Sequence, residues 1–202
     1  MSYAEEEVSA SAIPYRVVVT YFTPAKSEVS SWPLEAKLWW YSFEMTDDDA
    51  RAYGVWWWPE AIRLMLPVGN TIAGKLITTE TIKNAPRYKE YTDNKTACVL
   101  IGNKYRDMLY IVEDPVSAYK LNKTGVSVMC LFGTSATAYE IVAATKYKQV
   151  AVWLDNDVAG KVHSPDIVKK LKPFSKVTVI DREQAKEINF PVLEKLVKDL
   201  YV

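Results

Sequence analysis

The sequence has few of the residues that bind zinc or form disulfide bonds. Its 202 residues include one histidine, His163, and two cysteines, Cys98 and Cys130. A structural zinc site takes about four Cys or His ligands at short spacing, so we expect no zinc. Two distant cysteines without a CxxC motif make no disulfide framework, which fits buried thiols in a reducing cytoplasm.

Long hydrophobic runs and an excess of charge of one sign are also missing. Apolar stretches such as VSVMCLF are far shorter than the roughly 18 residues that a membrane span needs. The N-terminal segment MSYAEEEVSASAIP is acidic and does not resemble a signal peptide. Lys and Arg (25) balance Asp and Glu (25), which excludes a polybasic nucleic-acid binder but not a local basic surface. We therefore expect a soluble, intracellular protein that does not associate with a membrane.

The second half of the chain alternates apolar runs with helical patterns. The runs MLYIV, VSVMCLF, QVAVWL and KVTVI are each followed by a segment of helical periodicity, with a helix break expected near Pro165. This alternation predicts an α/β fold in which helices flank a four-stranded, mainly parallel sheet. Continuous apolar runs are typical of a sheet that is covered on both faces.

The first half indicates a smaller, mixed α+β unit. PLEAKLWWYSF predicts one helix, and Thr46 followed by three aspartates predicts another that ends at Gly54. AIRLMLPV and IAGKLITT predict a hairpin turning at Gly69-Asn70. We therefore divide the chain into a tail and strand at 1–31, a small subdomain at 32–107 and an α/β domain at 108–202.

Acidic or small polar residues follow three of the predicted parallel strands. Glu113 follows the first strand, Gly133-Thr134-Ser135 the second, and Asp155 and Asp157 the third. In an open parallel sheet, ligands bind outside the carboxyl ends of the strands. Carboxylate oxygens there suit Mg²⁺ or Mn²⁺, and a Gly-Thr-Ser turn ahead of a helix offers N–H groups to a phosphate.

A basic and aromatic segment precedes this domain. From Lys75 to Arg106 there are seven basic residues against three acidic ones, together with Tyr88, Tyr91 and Tyr105. Lys and Arg contact phosphates, and nucleobases stack on aromatic rings. The segment is equally compatible with a nucleic-acid surface and with an ordinary solvated surface of mixed charge.

The motifs VEDPVSA, LFGTSAT and LDNDVAGK, in this order, resemble the Toprim domain of DnaG-type and phage primases. Upstream, MTDDDARAYGVWWWPEAIRLMLPV, IAGKLITT and APRYKEY are similar to the N-terminal part of the primase RNA-polymerase core. Downstream, TVIDREQAKEIN is similar to the acidic turn that follows the fourth strand in that family. The resemblance extends from about Trp32 to Asn189. It implies a phage-type primase core that synthesises short RNA primers on single-stranded DNA by metal-dependent nucleotidyl transfer during phage DNA replication.

The resemblance also implies roles for particular residues. The catalytic and metal-binding carboxylates would be Glu113, Asp155 and Asp157. The nucleotide phosphates would contact Gly133, Thr134, Ser135 and Lys161. The nucleic-acid-binding residues would be Arg63, Lys75, Arg87 and Lys89. Mg²⁺ or Mn²⁺ is the implied cofactor, and the implied partners are a single-stranded DNA template, ribonucleoside triphosphates and a separate replicative helicase or template-reading factor. The implied location is the cytoplasm, which is the host's if the protein is phage-encoded.

Departures from the family pattern keep two other functions open. The family motif has a glycine after its glutamate and an aspartate four positions after it, whereas this chain has Asp114 and Ser117. Asp114 or Glu187 could replace the missing carboxylate. The zinc ribbon and helicase segments of the family have no counterpart in the sequence. The alternatives are a Toprim-type metal-dependent nuclease and a catalytically degenerate module that binds single-stranded DNA or a helicase.

Overall fold

The computed structural model describes residues 28–78, 85–91 and 97–201. The predicted N-terminal tail and strand lie outside these residues, except for a 3-10 turn at Val29–Ser31. The described chain forms a mixed α/β fold with two sheets. Among the described residues, no helix is long and apolar enough to cross a membrane.

The first sheet has four strands and is antiparallel throughout. Two helices precede it, α1 (Leu34–Tyr41) and α2 (Asp47–Tyr53), and its strands pair in chain order: β1 (Trp56–Trp58), β2 (Arg63–Val68), β3 (Thr71–Leu76) and β4 (Tyr88–Glu90). The predicted hairpin is confirmed, because β2 and β3 are joined at Gly69-Asn70 and Gly69 has a φ of +58°. Helix α2 begins with a capping box between Thr46 and Asp49 and ends at the left-handed Gly54, as predicted.

The second sheet has five strands in the order β5-β7-β6-β8-β9. The strands are β5 (Cys98–Leu100), β6 (Tyr105–Val112), β7 (Val126–Cys130), β8 (Gln149–Val152) and β9 (Lys176–Val179). One helix follows each of the last four strands. In chain order these helices are α3 (Pro115–Asn122), α4 (Ala138–Ala144), α5 (Val158–Leu171) and α6 (Phe190–Leu200). Strand β5 pairs with β7 in the antiparallel direction, while the other pairings are parallel. The prediction of a four-stranded, mainly parallel sheet is therefore wrong, since the sheet is mixed and has a fifth strand. Strand β5 has only three residues, too few for periodicity to indicate a strand.

Strand β6 is covered on both faces. Leu109 and Ile111 belong to one hydrophobic cluster, and Met108, Tyr110 and Val112 belong to the other. Successive side chains of a strand point to opposite faces, so a strand buried on both sides must be apolar at almost every position. The continuous apolar run of β6 follows from this.

Helix α5 corrects one local prediction. It runs from Val158 to Leu171 without interruption, with Pro165 inside it. Proline lacks the backbone N–H that would bond to the carbonyl four residues earlier, and an interior proline costs about 3 kcal/mol or more. The apolar side chains of Ile167 and Leu171, buried beyond the proline, keep the C-terminal half of the helix on the sheet.

Helix α3 joins the two halves of the molecule. The ring of Tyr53 stacks on Tyr119 with centroids 4.4 Å apart, and Tyr119 Oη donates a hydrogen bond of 2.7 Å to the carbonyl of Pro67. Lys123 pairs with Asp49 at 2.7 Å. The N-terminal end of α3 lies at the cleft described next, so this packing positions the cleft between the two sheets.

Candidate functional site

A cleft of about 510 Å³ opens between the first sheet and the carboxyl ends of the parallel strands. Arg87 and Tyr88 belong to the wall formed by the first sheet. Glu113, Asp114, Asp155 and Lys186 line the opposite wall. Phe132 also lines it and has a φ of +52°, a strained backbone for a bulky residue and of a kind found at functional sites.

Glu113 and Asp155 meet because their strands are parallel neighbours in the sheet. Strand β6 ends at Val112 and strand β8 at Val152. Glu113 Oε1 accepts a hydrogen bond of 2.9 Å from the backbone N–H of Asp155. Burial, together with the charges of Asp155, Asp157 and Asp114, raises the pKa of Glu113 to about 7, even though this hydrogen bond opposes the rise. Burial also raises the pKa of Asp155, against the opposing charge of Lys186.

Asp157 has a different local role. It is exposed and caps α5, where its side chain accepts a 2.8 Å hydrogen bond from the backbone N–H of Gly160. Gly160 approaches the loop so closely that a Cβ there would collide with the carbonyl of Asp155 and lie 3.2 Å from Glu113 Oε1. The Asp-Asn-Asp segment is thus held against Glu113 by the first turn of α5.

Asp114 and Ser117 form the cap of α3. Asp114 accepts hydrogen bonds from the backbone N–H groups of Val116 and Ser117, and Ser117 Oγ donates to its other oxygen at 2.6 Å. Lys186 Nζ lies 3.2 Å from that same Asp114 oxygen. Ser117, where the resemblance leads one to expect an aspartate, therefore holds a neighbouring carboxylate.

The carboxylates of the cleft fit a divalent cation that uses few protein ligands. In residues 28–78, 85–91 and 97–201, no three His, Cys, Asp or Glu side chains are arranged as a metal site. Mg²⁺ commonly uses only one or two protein carboxylates and completes its shell with water and substrate phosphates. Glu113 and Asp155 fit that type of site, because Glu113 Oε1 is hydrogen-bonded to the Asp155 backbone and the charge of Asp155 helps raise the pKa of Glu113. Gln184 donates to Asp155 Oδ2, and its own Oε1 is buried with no hydrogen-bond partner in the described chain.

Of the residues predicted to bind phosphate, Gly133 and Lys161 line two different cavities, and Asp155 lines both. Gly133 lines the cleft, with open space where a Cβ would be. The Gly-Thr-Ser turn precedes a helix, as predicted, but α4 begins at Ala138 with Thr137 as its cap, so Thr134 and Ser135 lie outside the first turn of that helix. Lys161 is exposed and lines a separate cavity of about 590 Å³ beside α5 and β9.

The four residues predicted to bind nucleic acid fall into two pairs. Arg87 and Lys89 are exposed, and Lys89 Nζ lies 5.1 Å from the centroid of the Tyr91 ring. Arg63 is only 5% exposed and donates to the carbonyls of Gly74 and Pro86. Lys75 is 8% exposed, between the rings of Trp39 and Tyr88, and burial with the charges of Arg87 and Arg63 lowers its pKa to about 8.

Sequence reasoning missed two polar residues of the cleft, Gln184 and Lys186. Both lie in TVIDREQAKEIN, where only the acidic residues were considered as candidates. No periodicity marks them, because they belong to an irregular segment and a 3-10 turn at Ala185–Glu187. The resemblance of this segment to an acidic turn was the one available signal.

No protein-family model matches the sequence, and no curated protein matches it. Solved structures do match. The Aquifex aeolicus primase, with its zinc-binding and RNA polymerase domains, aligns with a TM-score of 0.66 and 15% identity over 84% of this chain and 55% of that one. The DnaG catalytic core aligns with a TM-score of 0.58 and 13% identity over 84% of this chain and 70% of that one. The primase fragment of the bacteriophage T7 primase-helicase aligns with a TM-score of 0.52 and 14% identity over 76% of this chain and 70% of that one.

These alignments establish the fold. The chain has the fold of DnaG-type and phage primase catalytic domains, which confirms the resemblance found in the sequence. The chain spans about half of the length of the Aquifex aeolicus primase chain, since the alignment covers 55% of that chain.

Proposed function

We propose that the chain is a primase-type nucleotidyltransferase that makes short RNA primers on single-stranded DNA, in phage or bacterial DNA replication. The observation that carries this proposal is the Glu113–Asp155 pair, which faces Arg87 and Tyr88 across one cleft in a primase fold. We assign residues 108–202 to a Toprim domain and residues 32–107 to a template-binding subdomain. The substrates are ribonucleoside triphosphates, and a separate helicase or template-reading factor is the expected partner.

The reaction joins a 3′ hydroxyl to the α-phosphate of an incoming nucleotide. The new O–P bond forms as the bond to pyrophosphate breaks, and the hydroxyl proton leaves to solvent or to a carboxylate. Glu113 and Asp155 would hold a divalent cation, Mg²⁺ or Mn²⁺, which when bound offsets phosphate charge and orients the attacking oxygen. Glu113 also fixes the Asp155 backbone through the hydrogen bond to its N–H.

The opposite wall of the cleft supplies contacts for nucleic acid. The exposed guanidinium of Arg87 suits a phosphate, and the Tyr88 ring suits a base. Lys75 lies behind the Tyr88 ring, 5.6 Å from its centroid, and Arg63 anchors the sheet through the carbonyls of Gly74 and Pro86. We therefore propose direct contacts for Arg87 and Lys89, and a supporting role for Lys75 and Arg63. Gly133 is the residue of the Gly-Thr-Ser turn that we propose to contact the nucleotide phosphates.

The test is a priming assay with labelled nucleotides on mixed single-stranded templates, with and without Mg²⁺ or Mn²⁺. The wild type should make primers only with metal, and Asp155→Asn should lose at least about a hundredfold of that activity because a ligand of the cation is removed. Asp199→Asn, on an exposed position of α6, is the matched control and should behave as wild type.

Two outcomes would favour the alternatives. Metal-dependent nicking of DNA without nucleotides, abolished by Asp155→Asn, would identify a nuclease. Tight binding of single-stranded DNA with no chemistry under any metal condition would identify a binding module.

A further inference from the structure

We infer that Lys186 is a positioning residue that acts as a fixed positive charge in the acidic cluster, so that the cluster holds a divalent cation more weakly, or holds fewer of them, than its carboxylates alone would. The acidic cluster consists of Glu113, Asp114, Asp155, Asp157 and Glu187, of which all but Asp157 line the cleft. The inference rests on the proposed function, because it concerns the same cleft. Polymerase-type sites commonly use two metal ions about 4 Å apart.

The position of Lys186 is the first argument. Its Nζ lies 3.2 Å from Asp114 Oδ2, and the side chains of both residues are only 14% exposed. Both residues line the cleft together with Glu113 and Asp155. One ammonium group is therefore paired with Asp114 and shares the cleft with Glu113 and Asp155, in a region with little solvent to screen its charge.

The second argument is that Lys186 is anchored through its backbone. Its carbonyl accepts a 2.9 Å hydrogen bond from Lys120 Nζ. The side chain of Lys120 is only 2% exposed, and its Nζ forms an ion pair with Glu44 Oε2 at 3.1 Å. A buried lysine held by two acceptors is costly to move, so the 3-10 turn that carries Lys186 stays beside the cluster.

The partner of Lys186 is fixed as well. Asp114 caps α3 and accepts a hydrogen bond from Ser117 Oγ. Asp114 lines the cleft, but its Oδ1 accepts the backbone N–H groups of the cap, and its Oδ2 is occupied by Ser117 Oγ and Lys186. The carboxylates that remain for a divalent cation on this wall of the cleft are Glu113, Asp155 and Glu187, and the cation meets the repulsion of the nearby ammonium group.

Mn²⁺ binding measures this repulsion without any catalysis. We would titrate the full chain with Mn²⁺ alone by calorimetry and by electron paramagnetic resonance, using the wild type, Lys186→Met, Lys186→Arg and the control Lys195→Met. Lys195 is exposed on α6, away from the cleft. Circular dichroism would verify folding, and Lys186→Gln would replace the Met variant if that variant did not fold.

We expect one Mn²⁺ per wild-type chain. Lys186→Met should bind Mn²⁺ about tenfold more tightly or take up a second ion, because a neighbouring positive charge is removed. Lys186→Arg and Lys195→Met should match the wild type, since the first keeps the charge and the second lies outside the cluster. A purely structural ion pair would change stability but not Mn²⁺ affinity.

The inference and the proposed function fail in different ways. If all four proteins bind one Mn²⁺ with affinities within twofold, the inference is overturned and the proposed function stands. If neither the wild type nor Lys186→Met binds Mn²⁺, both are overturned. If only Lys186→Met binds, Lys186 acts as the fixed charge that we infer, and the metal-dependent function of the wild type fails.

Discussion

At the scale of single residues, the structure separates polar side chains by what they contact. Glu113 and Asp155 lie together in the cleft, whereas Asp157 caps α5 and Arg63 binds backbone carbonyls. Sequence position alone could not distinguish these roles, because all four belong to residue types that suit both catalysis and structure. Burial and hydrogen-bond partners, which depend on the folded chain, make the distinction.

The raised pKa of Glu113 gives stability a pH dependence. The pKa rises from 4.5 to about 7 on folding, so between these values the folded state binds more protons than the unfolded chain. The free energy of unfolding should therefore fall as the pH rises through this range. Glu113→Gln removes the cost of ionisation and keeps an oxygen that accepts from Asp155 N–H. We expect about 1 kcal/mol higher stability than the wild type at pH 8 and no gain at pH 4, allowing for solvent at this half-buried group.

Denaturant unfolding at a series of pH values would test this expectation. Glu194→Gln, at an exposed position of α6, is the control and should leave the wild-type profile unchanged. If the free energy of unfolding of Glu113→Gln changes with pH between pH 4 and pH 8 as steeply as that of the wild type, the raised pKa of Glu113 is contradicted.

At the scale of elements, helix starts decide where the acidic residues lie. The first turns of α3 and α5 are capped by Asp114 and Asp157, and each cap brings a loop to the cleft. Helix α2 and the β2–β3 hairpin could be predicted because their capping and turn residues are local. Helix α1 could be predicted as well, although the regularly spaced Leu34, Leu38 and Tyr41 are exposed and do not face the core. Strand β5 could not be predicted, because its local signal is weak and it forms by pairing with β7. The unbroken α5 could not be predicted either, because packing on the sheet overrides the contrary signal of Pro165.

Gly160 tests the close approach at the start of α5. Alanine in a helix is usually more stable than glycine by about 1 kcal/mol. Here the added Cβ would collide with the carbonyl of Asp155. We expect Gly160→Ala to lower the free energy of unfolding by about 2 kcal/mol, since overpacking shifts backbone. It should also reduce priming, because the shift moves Asp155.

Gly133→Ala is the matched control for this substitution. No atom lies within 4 Å of a Cβ at Gly133, so its stability should equal that of the wild type in thermal and denaturant unfolding. A stable Gly160→Ala protein would show that the loop relaxes without cost.

At the scale of the whole molecule, α3 couples the antiparallel sheet to the mixed sheet. The fully buried Tyr119 contacts Tyr53, Trp40 and the Pro67 carbonyl, all from the first half of the chain. Because the cleft has one wall on each sheet, this contact sets its width.

Removing the Tyr119 hydroxyl should weaken that coupling. Tyr119→Phe leaves the partly buried Pro67 carbonyl without this donor, and we expect the free energy of unfolding to fall by about 1 kcal/mol. Tyr139→Phe, at a residue that is 74% exposed, should have no effect. Equal stabilities of the two variants in urea titrations would show that the Pro67 carbonyl is satisfied in another way.

The order of apolar runs, caps and turn residues was enough to predict an α/β fold, acidic residues at strand ends and a resemblance to primases, because these signals come from neighbours along the chain. Tertiary structure alone decided that β5 joins the second sheet, that Arg63 and Lys75 are buried, and that Gln184 and Lys186 reach the carboxylates. These features arise between residues far apart in sequence, whose burial and electrostatic interaction exist only once the chain is packed.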